Sequence, residues 1–177
     1  MLPQKLRELW EEMEKARSRT LEMAGGLSES EFALRVAGEW SVAEIVEHLL
    51  IAETGTSKVI RKCLKENAGK LPPYPANDSV LAVRPPRTPP EKVVTAPEAA
   101  IPKGGAGKEE LLARAASARA QTRVSLELLA GADPRAVEFP HLLFGDINLY
   151  EWPCLIVLEH EKQHHAQIAE ILRKLGR

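Results

Sequence analysis

The sequence predicts an all-α protein, a four-helix bundle with one long proline-rich crossover between its second and third helices. Three observations carry that reading. Four segments repeat apolar residues with a helical period, no segment sustains the alternation of a half-buried strand, and nine of the thirteen prolines gather between Pro72 and Pro102.

The first helical segment covers residues 3–24, with Leu6, Leu9 or Trp10, Met13, Ala16, Thr20 and Leu21 as its stripe. Pro3 suits a first turn, because its missing N–H has no intrahelical partner there, and Gly25-Gly26 suits the end. The second begins at Ser41, with Glu44 three residues on, the reciprocal signature of a capping box. Its stripe is Ile45, His48 or Leu49, Ala52, Thr56, Val59 and Cys63, and it fades at residues 67–69.

The third covers residues 108–130, with Leu111, Ala115, Ala118, Thr122, Leu126 and Leu129, and stops at Gly131. The fourth starts at Asn148, capped reciprocally by Glu151, and runs through Trp152, Ile156, His160, His164, Gln167 and Ile171 to Gly176. Pro153 falls just past the first turn and bends the helix start. Residues 69–107 form the linker, where the proline density forbids a long helix or a central strand. A linker of that length reads as a crossover strapped over the bundle or as one wall of a site. The whole chain, residues 1–177, reads as a single domain of ordinary size.

Composition narrows the function. A net charge of -1, with acidic and basic residues interspersed, gives no stripe for nucleic acid or an anionic membrane. No stretch approaches the ~20 apolar residues that span a bilayer, and the N-terminus lacks the apolar run of a signal peptide. Cys63 and Cys154 are too few for a disulfide framework and read as small buried hydrophobes, so the expected location is the cytoplasm.

Three of the five histidines stand on core-facing positions of two helices. His160 and His164, four apart, lie on one helix face with Cβ atoms about 5–6 Å apart. A buried imidazole without a partner costs about 1–3 kcal/mol, and one divalent ion shared with His48 would satisfy all three rings. The alternative is three ordinary core histidines hydrogen-bonded to neighbours. Three imidazoles with no fourth protein ligand leave a position open for water, a thiolate or substrate, the catalytic pattern, and Zn²⁺ or Ni²⁺ suits such a donor set.

His160 to His164 also reads HEKQH, the H-E-x-x-H pattern that would make Glu161 a general base. A zincin needs a third ligand downstream, and Glu170 lies about 240° around the helix from His164. A peptidase is therefore not the reading adopted.

Three stretches resemble the DinB/YfiT-like superfamily. GEWSVAEIVEHLLIAE (38–53) is similar to its G-x-W-S-x-x-E-x-x-x-H-L-x-x-x-E opening of helix two. HLLFGDINLYEW (141–152) resembles the lead into helix four, and HEKQHHAQI (160–168) its H-x-x-x-H-x-x-Q-I signature. The resemblance places the family's metal ligands on His48, His160 and His164 and leaves His165 outside the set. It implies a metal-binding, often dimeric, bacterial-type stress-associated protein acting on a small-molecule substrate. Relatives include S-transferases and isomerases using low-molecular-weight thiols such as bacillithiol or mycothiol, and others described as hydrolases. The alternative is a non-catalytic bundle with a structural metal or none.

Other polar residues have plainer expectations. Glu44 caps its helix in preference to orienting the His48 ring, Trp40 staples the helix entry in preference to stacking on a ligand, and Arg119 is solvated or salt-bridged in preference to meeting an anionic substrate. His141 lies exposed in a loop, while Glu161 and Lys162 form a solvated face. Gln167 either donates to a metal-bound water or spans two helices.

Overall fold

The computed structural model describes residues 1–85 and 96–177, and its backbone is dominated by helices α1 (Gln4–Gly25), α2 (Glu29–Ala33), α3 (Val42–Glu66), α4 (Lys108–Leu129) and α5 (His160–Lys174). Four are long and form the bundle; α2 is a single short turn-and-a-half between α1 and α3. Ser28 and Glu31 cap α2 reciprocally, and Ser41 and Glu44 cap α3 in the same way. Each box satisfies backbone N–H groups that the first helical turn leaves unpaired. Between the two caps the chain turns through left-handed Ala37 (φ 55°) and Gly38 (φ 78°), which delivers Trp40 to the start of α3.

Two features depart from the sequence expectation. Residues Glu138–His141 and Gly145–Asn148 form an antiparallel hairpin, β1 and β2, with Phe139 opposite Ile147 and His141 opposite Gly145. Strands of four residues are too short to show a sustained alternation, and β1 carries a proline. The second departure precedes α5. Asn148 Oδ1 accepts from the Tyr150 and Glu151 N–H groups while Glu151 Oε2 accepts from Asn148 N–H, so the expected cap is present. The helix then widens into a π-type stretch at Pro153–Glu159 before α5 proper. Widening changes the angular phase between the residues before and after it.

The apolar interior falls into two clusters. One gathers Leu6, Met13, Ile60, Leu126, Leu129 and Leu149; the other gathers Phe32, Val42, Ile45, Leu111, Ile168 and Ile171. Along every long helix, a buried polar layer separates them. Arg17 of α1, Glu53 of α3, Arg119 of α4 and Glu161 of α5 meet there. Arg17 donates to Glu161 Oε1 (2.7 Å) and to Glu53 Oε2 (2.8 Å). Arg119 donates to Glu161 Oε2 (3.2 Å), and its Nε stands 2.9 Å from Glu53 Oε1 as an ion pair. Thr20 and Thr122 donate to the two carboxylates. Burial alone would strip the Arg17 charge, yet Glu161 and Glu53 hold its pKa above the usual value.

Glu161, expected on a solvated face, is thus 1% exposed. His165 is buried beside it, its Nε2 within reach of Ala16 O and Thr20 Oγ1. Lys162 is exposed as expected. The error has one cause: the core-facing stripe of α5 runs through Glu161, His164, His165, Ile168 and Ile171, and its first turn is polar. A hydrophobic period cannot show a core position filled by an ion pair.

The linker is anchored at both ends. Lys5 N–H donates to Asp78 Oδ2, and Arg84 clasps Glu151 and Glu138. Past the undescribed residues, Gly104 N–H donates to Glu47 Oε2 (2.9 Å). Residues 86–95 of the predicted 69–107 linker lie outside the described residues. No helix of the described residues is long and apolar enough to cross a membrane. Cys63 and Cys154 are both free and buried, and burial pushes the Cys154 thiol up to about 12.

Candidate metal centre

His48 stands on α3 seven residues after its cap, and His160 opens α5 with His164 one turn later. Packing of α3 against the last helix brings the three rings together. His160 Nε2 lies 3.0 Å from His48 Nε2 and 3.0 Å from His164 Nε2, with ring centroids 4.7–5.1 Å apart. All three sequence-predicted residues are therefore in one place, and among the described residues no Cys, Asp or Glu joins the cluster.

The outward nitrogens of two rings are tied. His48 Nδ1 donates to the Ala100 carbonyl at 2.6 Å, and His164 Nδ1 is 2.6 Å from Gln167 Oε1. A neutral imidazole carries one proton. With that proton on Nδ1 in both rings, both Nε2 atoms present lone pairs to His160 Nε2. Whichever tautomer His160 adopts, it cannot donate to both, and its Nδ1 has no hydrogen-bond partner of good geometry. The cluster is one cation short of satisfied.

A divalent ion fits that shortfall. At metal–nitrogen distances of about 2.0–2.1 Å, a tetrahedral site sets its nitrogens about 3.3 Å apart. The 3.0 Å spacings are within a few tenths of an ångström of that. Burial keeps the rings uncharged, as ligation demands. His160 is held down to about 3 by burial, then by the His164 and His48 charges. His164 is held down to about 4 by burial and by His48, and burial lowers His48 against the Ala100 contact.

The neighbours correct or sharpen the sequence reading. Gln167 is an exposed residue that orients His164 rather than spanning helices. Glu44 does not touch His48; it closes the cap and pairs with Arg35. Trp40 lies against His48, centroids 4.9 Å apart. The linker supplies the acceptor for His48, a role no side-chain motif could announce because the acceptor is a backbone carbonyl. His141, expected exposed in a loop, ends β1 half-buried, its ring 5.1 Å from both Phe144 and Trp152.

Fold and cluster together define a helical bundle with three imidazoles converging between two of its long helices, a group that could hold a metal ion. The chain belongs to the DinB superfamily, whose family pattern matches residues 12–168. A crystal structure described as TT2238, a four-helix bundle protein, is similar in fold. Its TM-score is 0.63 at 19% identity, over 93% of this chain and 98% of that one. No curated protein matches the chain.

Proposed function

We propose that this protein is a metal-dependent enzyme of the thiol-dependent S-transferase or hydrolase type, with His48, His160 and His164 as the ligands of one Zn²⁺ or Ni²⁺. The observation that carries the reading is the convergence of three Nε2 atoms whose proton count cannot be balanced among themselves. Membership of the DinB superfamily supports the same ligand set.

A divalent ion in such a site favours the anionic form of a water or thiol at its free position and polarises an electrophile. The chain's own residues do the rest. Ala100 and Gln167 fix the tautomers of His48 and His164 and keep their lone pairs inward. Trp40 covers the His48 ring on one side. In this reading the substrate is a small molecule, the thiol a low-molecular-weight one and the setting the cytoplasm, without nucleic-acid or membrane partners; the family resemblance favours a homodimer.

Elemental analysis of the protein as isolated, beside His164→Ala, tests the ligand set: one equivalent of metal is expected in the first and little in the second. Turnover of electrophilic substrates with a panel of thiols then tests the reaction class. Full metal occupancy without turnover and without any exchangeable ligand would identify the ion as a structural tie between α3 and α5 instead.

A further inference from the structure

Glu47 is a buried carboxylate that neither the helix cap nor the central polar layer accounts for. It is 5% exposed and stands one residue before His48. Its nearest cation, the exposed Arg114, keeps Nη2 3.8 Å from Glu47 Oε1, too far for a hydrogen bond. Among the described residues its one hydrogen bond is to backbone: Oε2 accepts from Gly104 N–H at 2.9 Å. Taking a carboxylate out of water is costly, and what this one does in return is hold the Gly104 amide.

Four residues earlier, the same segment meets His48. Pro97 leads into a single 3-10 turn, Glu98–Ala100, closed by Ala100 N–H to the Pro97 carbonyl (2.7 Å) and Ile101 N–H to the Glu98 carbonyl (3.2 Å). The Ala100 carbonyl ends that turn and lies 2.6 Å from His48 Nδ1. Pro102 is buried, and Gly104 (φ 72°) and Gly105 (φ 84°) turn the chain toward α4 in a conformation that glycine adopts without strain. Adjacent residues of α3 thus grip residues 97–104 at two points: His48 at the Ala100 carbonyl and Glu47 at the Gly104 amide. The prolines at 97 and 102 restrict the backbone between them.

A metal ion distinguishes a seated strap from a released one. When the strap is seated, the Ala100 carbonyl takes the Nδ1 proton and leaves the His48 Nε2 lone pair facing His160. When it is released, the ring is free to turn and to carry its proton on Nε2, which then cannot ligate. A cation on Nε2 in turn polarises the Nδ1–H bond, and hydrogen bonds from charged donors are about twice as strong as neutral ones. Each event favours the other, and by the same factor.

We infer that Glu47 is a positioning residue of the three-imidazole centre: by holding the Gly104 amide it seats residues 97–104 with the Ala100 carbonyl on His48, so that metal binding and strap closure are coupled. The inference rests on the proposed metal site and adds a control on its affinity that lies outside the ligand set.

Amide hydrogen exchange of the full chain, followed by NMR with and without Zn²⁺, reads the strap directly. Zn²⁺ should slow exchange at Gly104 by about 10–100-fold, the usual worth of a partner to a ligating histidine. Exchange at Asp133, whose N–H bonds to the Pro72 carbonyl near the other end of the linker, should stay nearly unchanged. Glu47→Leu removes the acceptor and should bind Zn²⁺ about tenfold more weakly in a chelator competition, the lower end of the same range. Glu47→Gln keeps an oxygen for the Gly104 N–H and should restore most of that affinity. Exchange at Gly104 that ignores Zn²⁺ overturns the inference, and so does equal slowing at Gly104 and Asp133, which is general stabilisation. Unchanged Zn²⁺ affinity in Glu47→Leu, or an equal loss in Glu47→Gln, overturns it too. In each of these cases one equivalent of Zn²⁺ on the wild type leaves the three-imidazole reading standing. A wild type that takes up no Zn²⁺ defeats that reading and the coupling with it. Should Glu47→Leu fail to fold, the wild-type exchange pattern decides alone.

Discussion

Replacing Glu161 by glutamine removes one negative charge from the centre of the buried polar layer while preserving its shape. The native group balances two guanidiniums with two carboxylates, and all four side chains are at least nine-tenths buried. Glu161 accepts from Arg17 at 2.7 Å, Thr20 at 2.7 Å and Arg119 at 3.2 Å. In Glu161→Gln the two guanidiniums keep one buried carboxylate, Glu53, beside the half-exposed Glu14 that pairs with Arg119, and the new amide N–H₂ competes with guanidinium donors for the same acceptors. Breaking a buried pair from one side costs about 3–5 kcal/mol, a large part of the roughly 5–15 kcal/mol that holds a typical domain together. At about 2–4 °C per kcal/mol for a chain of this size, the melting temperature should fall by roughly 6–20 °C. Urea denaturation of Glu161→Gln, Arg119→Met and the double variant would measure it as a cycle. The double variant restores neutrality and should lose well under the sum of the singles. A single-variant loss below about 1 kcal/mol, or simple additivity, would refute the claim that these charges are desolvated and mutually dependent.

Two further outcomes follow from the histidine cluster. In metal-free protein the folded-state pKa values of His160 and His164 are about 3 and about 4, below the ordinary 6.5. The unfolded chain therefore binds more protons in that window, and their contribution to stability is complete above about pH 6.5 and lost as pH falls toward about 3. The difference in unfolding free energy between wild type and His160→Gln/His164→Gln, followed from pH 7 to pH 4, should shrink or reverse sign in that direction; a constant difference would contradict the assignment. Gln167→Leu removes the partner of His164 Nδ1 and should weaken metal binding about 10–100-fold in a chelator competition. Its stability should stay within about 0.5 kcal/mol, because Gln167 is exposed. Unchanged metal affinity would show that the contact does not orient the ring.

The parts of this structure that were legible in the sequence are those written in local chemistry. Ser41 with Glu44, and Asn148 with Glu151, announce helix starts because a cap is a reciprocal arrangement of residues three apart. His160 and His164 announce each other through one turn of helix, and His48 joined them through its place on a second apolar face. Illegible parts depend on distant partners. Glu161 looked solvated because Arg17, more than a hundred residues earlier, is what allows it inside. The phase of the last helix was obscured by the widened stretch at Pro153–Glu159. His141 looked like loop because its strand is four residues long, and the Ala100 carbonyl has no side-chain signature at all.

The polar layer has a consequence for assembly. Each of the four long helices contributes one charge to it, two positive and two negative. A partly formed bundle lacking any one of them would enclose an odd charge in a nonpolar surround, a state that water opposes. A helix slid by a turn would likewise present carbon where its partners offer a guanidinium or a carboxylate. Correct arrival of the last helix is thus the event that lets the interior close, which favours an all-or-none transition and places the alignment of His160 under the same control as the closing of the fold.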